Sequence, residues 1–249
     1  MTAPPIGPAP ETGETPWDTA GMYRERTSRL AGAVVWQRTA TATDSAQRVL
    51  PDGCMDLIWA DGELLMAGPD TAAYVATGPP HTGYTGIRFA PGSGPRIAGV
   101  PAHEIRNRRV PLTELWPAAQ ARRLAEQIAE APDPAIALER AAAERLRAAG
   151  PSDEAMAWIV ARLRAQAPIA LIAEDSGLSE RQLHRRSLAA FGYGPKVLGR
   201  ILRMNRALSM ARAGTPFATV AFANGYADQA HLAREVKTLA GVPLSMLTS

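Results

Sequence analysis

Two groups of basic and amide side chains stand at matching places in the last third of the chain. The first is Arg181, Gln182, His184, Arg185 and Arg186, and the second is Gln229, His231 and Arg234. An arginine guanidinium reaches guanine O6 and N7 together, and a glutamine amide or a histidine ring bonds a purine edge. Such side chains in the opening turns of a helix suit readout of a major groove. A solvated helix face has the same composition, so the weight falls on the repetition. Leu183 and Arg185 stand 49 positions before Leu232 and Arg234, and Ala173 and Gly177 stand 48 before Ala221 and Gly225. Arg186 fits a phosphate as well as a base. Lys196, Arg200 and Lys237 are candidates for phosphate contact, which positions a protein on a duplex without reading sequence.

The elements that must carry these residues are two copies of one unit. IALIAEDSGLSERQLHRR starts at Ile169 and FATVAFANGYADQAHLAR at Phe217. Each is a short apolar helix, a glycine (Gly177, Gly225), a polar opening and a basic helix, which is the sequence form of a helix-turn-helix. Ser179 with Gln182 makes a capping box for the first basic helix. In the second copy Ala227 stands at the expected cap and is a poor one, leaving Asp228 to help through the helix dipole. Between the copies, Pro195 opens a helix that runs to Ala213 with no break stronger than Gly199. At about 1.5 Å per residue such a helix spans roughly 25–30 Å, near the ~34 Å between successive major-groove faces.

This stretch resembles the DNA-binding domain of AraC-type transcription regulators, two helix-turn-helix units on a linker helix. The segments that carry the resemblance are GLSERQLHRR from Gly177, FGYGPK from Phe191, RILRMNRAL from Arg200 and GYADQAHLAREV from Gly225. The pattern departs from the family at Ser187, Leu232 and Val236, where aromatics are usual. The resemblance implies a reader of double-stranded DNA, which contacts RNA polymerase if it is an activator.

Composition is consistent with that division of labour. The chain has 249 residues, 46% hydrophobic, and a net charge of +3. Residues 153–249 hold 12 Lys and Arg against 7 Asp and Glu, while residues 1–152 hold 15 against 17, so the basic excess sits with the repeated units. The single cysteine, Cys54, excludes an internal disulfide and a cysteine cluster for zinc. With no apolar run of membrane-spanning length and no signal pattern at the start, the expected compartment is the cytoplasm, without a membrane partner.

Residues 1–20, rich in Pro, Thr, Gly and Ala, read as a mobile tail in which Trp17 alone has something to dock. Short apolar runs between turn residues follow, at 33–37, 48–50, 55–59, 64–67, 74–76 and 87–89, with Asp61-Gly62 as a hairpin turn. They predict a small β-barrel or sandwich. A helix start at Pro101 and an antiparallel pair of helices within 117–149 come next, and Gly150-Pro151-Ser152 closes the domain. The segments RVLPDGCMDLIW from Arg48, AGPDT from Ala67, GIRFAPG from Gly86 and PLTELW from Pro111 resemble the cupin-like N-terminal domain fused to some actinobacterial AraC-type regulators.

Asp52, Asp56, Trp59, His81 and Arg88, with His103, are the candidates for a pocket in that domain; scattered polar residues at turns are the plainer reading. A metal-dependent cupin would need more histidines than His81 and His103, 22 positions apart, so neither a metal nor another cofactor is expected. Cys54 is either a redox sensor or, more in keeping with a lone cysteine, a small buried hydrophobe.

The expected fold is thus α+β: a tail at 1–20, a cupin-like sensing or dimerising domain at 21–150, and an all-α DNA-binding domain at 153–249. The expected function is a non-catalytic, sequence-specific transcription regulator, modulated by a small-molecule effector or by formation of a homodimer. The alternative is a cupin-like enzyme or binding module that the C-terminal domain targets to DNA.

Overall fold

The computed structural model describes residues 23–40, 47–79 and 81–248. Trp17 and the remainder of the expected tail lie outside them. Eight strands come first: β1 (Tyr23–Thr27), β2 (Val34–Thr39), β3 (Gln47–Val49), β4 (Met55–Ala60), β5 (Glu63–Ala67), β6 (Tyr74–Ala76), β7 (Gly83–Phe89) and β8 (Arg109–Pro111). Six of them form one antiparallel sheet in the order β1-β2-β7-β4-β5-β8, and β3 pairs with β6 in a second. Asp61 and Gly62 both have positive φ, 49° and 80°, so the β4–β5 hairpin turns through the primed geometry that matches strand twist.

Alternation gives the large sheet two different faces. Val35, Leu57, Met66, Ile87 and Phe89 point to one side, into a core completed by helices. These helices are α1 (Gly94–Ala98), α2 (Leu112–Leu115), α3 (Ala118–Ala129) and α4 (Pro134–Ala148). Ile128 of α3 and Leu138 of α4 are fully buried there. Asp133 caps α4 through the Ala135 amide, 2.8 Å away. The helix expected from Pro101 is only a 3-10 turn, Ala102–Ile105, ended at Arg106 by an extended backbone. The other face of the sheet looks toward β3 and β6 across a cavity. Strands β1 and β8 were not anticipated. Four of the five β1 residues are exposed, so β1 lacks the apolar alternation that marks a strand.

Six further helices follow: α5 (Glu154–Arg164), α6 (Ile169–Asp175), α7 (Glu180–Phe191), α8 (Pro195–Arg212), α9 (Phe217–Ala223) and α10 (Gln229–Ala240). They enclose a second core that includes Ile159, Ile172, Leu183, Leu198, Val220, Leu232 and Val236. Ser187 is fully buried in α7, and Leu232 and Val236 are fully buried in α10. Gly192 and Gly241, with φ of 82° and 72°, end α7 and α10 in the same left-handed conformation.

Candidate nucleic-acid interface and effector cavity

The first unit is α6, a turn at Gly177 and α7. Ser179 accepts from the Gln182 amide at 3.2 Å, and the Gln182 side chain accepts from the Ser179 amide at 2.8 Å, closing the expected capping box. Gln182 therefore spends its side-chain oxygen on the cap. Leu183, Ser187 and Phe191 face the core. That leaves Arg181, His184 and Arg185 on the exposed face of the opening turns, around one shallow groove. Arg181 and Arg185 have no hydrogen-bond or ion-pair partner among the described residues. The His184 ring lies against Gly194, which has no room for a Cβ. Arg186 points elsewhere: it pairs with Asp153, the cap of α5, at 2.9 Å.

The second unit corrects the sequence reading of its cap. Asp228, not Ala227, is the N-cap of α10, with its carboxylate accepting from the His231 amide at 2.6 Å. The His231 ring accepts from the Ala227 amide through Nδ1 at 3.3 Å and packs edge-on against Tyr226, their ring centroids 5.2 Å apart. His231 thus belongs largely to the turn, with only Nε2 left to offer outward. Gln229 and Arg234 are exposed, while Leu232, Glu235 and Val236 are buried.

The linker helix α8 is tied to the second unit by an ion cluster that nothing local in the sequence announces. Glu235 of α10 is 7% exposed and receives Arg200 at 3.1 Å and Arg203 at 2.6 Å. Burial alone would raise its carboxyl pKa, but the two arginines outweigh burial and hold it below the ordinary value. Arg203 also lies over the Tyr226 ring, 4.2 Å from its centroid. The Arg200 Nε is thus paired with Glu235, while its side chain stays 38% exposed. Lys196 and Lys237 are exposed, without a partner among the described residues. Lys196 lines a wide groove of about 640 Å³ between the two units, with Arg200 and Arg203 deeper in it.

The N-terminal domain holds the far ends of both reading helices. At α7, Arg106 donates to the Gly192 carbonyl at 3.1 Å, and a ring nitrogen of His103 meets the Leu188 carbonyl at 3.3 Å. At α10, the Ala73 amide donates to Leu239 at 2.7 Å and Arg48 donates to the Ala240 carbonyl at 3.0 Å. A guanidinium at a helix C-terminus is the favourable sign for the helix dipole. Both opening turns stay exposed.

Three of the expected pocket residues come together and the others do not. The Arg88 Nε lies 3.3 Å from Asp52 and 3.5 Å from Asp56. Asp56 also accepts from the Trp36 indole at 2.7 Å; the indole crosses Gly86, where a Cβ would collide with it. Burial and the neighbouring Asp52 push the Asp56 pKa up, against the opposing pull of Arg88 and Trp36, to about 6. Trp59 falls one residue out of phase with Asp56 and Ile58 and packs on the core side instead. His81 sits exposed in a turn at φ 68°, with its backbone amide bonded to the Ala40 carbonyl. His103 is at the domain contact. Among the described residues no three His, Cys, Asp or Glu side chains are grouped to hold a metal. Cys54 is a free thiol whose pKa burial drives well up, so it is not a reactive thiolate.

The cavity between the sheets, about 270 Å³, is lined by residues that sequence reasoning missed, chiefly Tyr23, Trp36, Tyr74, Tyr84 and Arg109. Arg109 is held by Asp70 through two bonds of 2.7 and 2.6 Å and lies over the Tyr74 ring, 3.9 Å from its centroid. The available signal was the alternation Trp36-x-Arg38, Asp56-x-Ile58 and Tyr84-x-Gly86-x-Arg88 on neighbouring strands.

Comparison with known proteins bears on both halves. Residues 172–248 match a family described as a helix-turn-helix domain, and residues 33–111 match a domain of unknown function (DUF6597). No curated protein matches the chain. Among solved structures, the chain is similar to ToxT from Vibrio cholerae O395 at 11% identity and a TM-score of 0.44, over 87% of this chain and 98% of that one. It is also similar to the same protein bound to (E)-4-(8-methylnaphthalen-1-yl)but-3-enoic acid, at 11% identity and a TM-score of 0.46, over 91% and 100% of the two chains. A third similar structure is the unsaturated fatty acid bound wild-type ToxT of Vibrio cholerae strain SCE256, at 11% and 0.45, over 87% and 94%. With two capped second helices on one linker helix, residues 172–248 form a helix-turn-helix domain.

Proposed function

We propose that the protein is a non-catalytic, sequence-specific transcription regulator that presents the opening turns of α7 and α10 to successive major-groove faces of one duplex. Arg181, His184 and Arg185 read bases at one face and Gln229 and Arg234 at the other, with Lys196 and Lys237 on phosphate. The observation that carries this reading is the asymmetry of exposure. In both helices the first turn is capped and open, while the last is clamped by the N-terminal domain. The α8 helix, 18 residues and so about 27 Å long, sets the spacing.

In the same reading the cavity between the sheets takes a small-molecule effector, and the compartment is the cytoplasm. One protomer carries both reading helices, so it spans a site alone; a homodimer would span two. Contact with RNA polymerase belongs to the activator form of this reading. Selection of binding sites from random duplex DNA is the test. Two short conserved patches about one helical turn apart are expected. Enrichment without any sequence preference, with binding set by salt alone, would leave only a charge-driven DNA binder.

No helix among the described residues is long and apolar enough to cross a membrane.

A further inference from the structure

The cavity has a chemical polarity that specifies what it accepts. Successive rows of the sheet line it. The innermost holds Arg88, Asp56 and Arg109, the next Trp36, Ile58 and Leu65, and the outermost Tyr23, Arg38 and Tyr84. At the inner end one guanidinium serves two carboxylates, because Arg88 lies between Asp52 and Asp56. Arg109 is matched by Asp70. The Arg88 group therefore carries one negative charge in excess. Trp36 and Arg88 both address Oδ1 of Asp56, and no described residue bonds its Oδ2. The Asp56 side chain keeps 17% of its surface accessible and lines the cavity. The raised pKa of Asp56 is what an under-compensated buried carboxylate produces. Around it stand the aromatic rings of Trp36 and Tyr23, stacked with centroids 6.4 Å apart, and of Tyr74, which carries the Arg109 guanidinium on its face. Arg38, a further cation lining the cavity, stands on the outermost row, where its backbone is four residues, roughly 13 Å of strand rise, from the inner row.

The roof of the cavity has a second duty. Gln47 and Val49 of β3 and Tyr74 and Ala76 of β6 face inward. Arg48, between the two inward residues, instead reaches the Ala240 carbonyl at the end of α10, and Ala73, beside Tyr74, donates to Leu239. The strands that line the cavity on one side thus carry, on the other, the groups that hold the second reading helix.

We propose that the cavity binds a small planar molecule bearing a positively charged nitrogen, which pairs with Asp56, and that the β3–β6 sheet passes its occupancy to α10. This rests on the reading of the protein as an effector-controlled regulator and names the effector's class. At about 270 Å³ the space is slightly below the ~300–1,000 Å³ common for ligand pockets, so it suits one or two fused rings.

The test uses the full chain and three sets of ring-matched probes. The amines are 2-phenylethylamine, 1-naphthylmethylamine and tryptamine; the other sets replace the amine by a hydroxyl or by a carboxylate. Calorimetry at pH 7.5 is expected to show at least one amine bound about tenfold or more tighter than its alcohol and its acid, as a charge-assisted bond implies. Asp56→Asn should abolish that preference. If the acids bind as well as the amines, or no amine binds at millimolar concentration, the assignment of class is overturned; because the probe series is read on the unaltered protein, this holds even if Asp56→Asn fails to fold. The coupling is read separately, as the change a bound amine makes in affinity for a duplex recovered by selection. That change is expected in the native chain and should be lost in Arg48→Ala, whose amine affinity should stay within about twofold. An amine that binds tightly without altering DNA affinity would overturn the coupling and the effector reading while leaving the ligand class standing.

Discussion

Asn205, buried at the middle of the linker helix, donates its side-chain amide to the carbonyl of Pro51, 2.9 Å away. The bond joins the two domains across 154 positions of sequence. Next to Pro51, Asp52 meets Arg88 at the inner end of the cavity, and Gly53 lies so close to α8 that a Cβ would come within 2.8 Å of Leu198. The turn Pro51–Cys54 is thus shared by the cavity and the helix that spaces the readers. Asn205→Ala leaves a buried carbonyl unpaired and should cost about 1–3 kcal/mol in urea unfolding. Asn205→Ala should also expose the turn at Pro51 to faster amide exchange than the native chain shows, because the bond holds the domains together. An unchanged melt with unchanged exchange would show that the contact does not hold the domains together.

The α10 cap gives a second prediction. Asp228→Ala removes the carboxylate that accepts from His231 and should destabilise the chain by about 1 kcal/mol, with a low-end loss near ~0.5. Asp228→Asn retains the accepting oxygen and should recover most of the loss in the same thermal melt. Ala227→Ser, the substitution that the bare spacing of the two repeats recommends, should give no gain. A gain from Ala227→Ser would return the helix start to that residue.

How far the sequence could be read follows from the range of the interactions. The first unit was legible because its signals are local: Ser179 and Gln182 are three residues apart, and Gly177 marks the turn. The second was misread by one residue because the extra residue falls at its cap. The ion pair of Arg200 was not legible because its partner Glu235 is 35 positions away, on a helix whose buried face could not be known to include a carboxylate. In the cavity, parity was the missing information. Asp56 and Trp59 are three apart on one strand and so point to opposite faces, which the list of polar and aromatic residues around position 55 did not separate. β1 was invisible because it is an exposed edge, and Tyr23 was missed with it.

Asp56 should give the protein a pH signature of unusual sign for a carboxylate. Its folded pKa, about 6, is above the ordinary value of 3.8, so the folded state binds its proton more tightly than the unfolded state does. Stability from this group is therefore greatest at low pH and falls as pH rises from about 4 to about 6. Asp56→Asn removes the titration. Relative to the native chain, the variant should become more stable by roughly 1–3 kcal/mol between pH 4.5 and pH 7.5. Denaturant melts of both proteins at the two pH values supply the comparison. A difference that does not change with pH, or changes in the opposite direction, would mean that Arg88 compensates Asp56 fully.

The last prediction separates reading from charge in the DNA-binding domain. Arg185 lies two residues after the fully buried Leu183 on a capped helix, exposed and without a partner among the described residues. Lys196 is equally exposed and unpaired, but lies in the groove between the two units. Each loses one positive charge on substitution by alanine, so net charge cannot distinguish them. Arg185→Ala should cost about 1–3 kcal/mol on the selected duplex, cost much less on a scrambled one, and relax selection at one base pair. Lys196→Ala should weaken both duplexes about equally and lower the salt slope by roughly one unit. Arg200→Ala makes the third comparison. Because Arg200 is tied to the buried Glu235, its loss should appear first as a lower melting temperature of the free protein. Affinities for the two duplexes across a salt series, with a melt of each variant, provide all three readings. Equal weakening of both duplexes by Arg185→Ala, with base preference intact, would remove Arg185 from the reading surface and place it on the backbone beside Lys196.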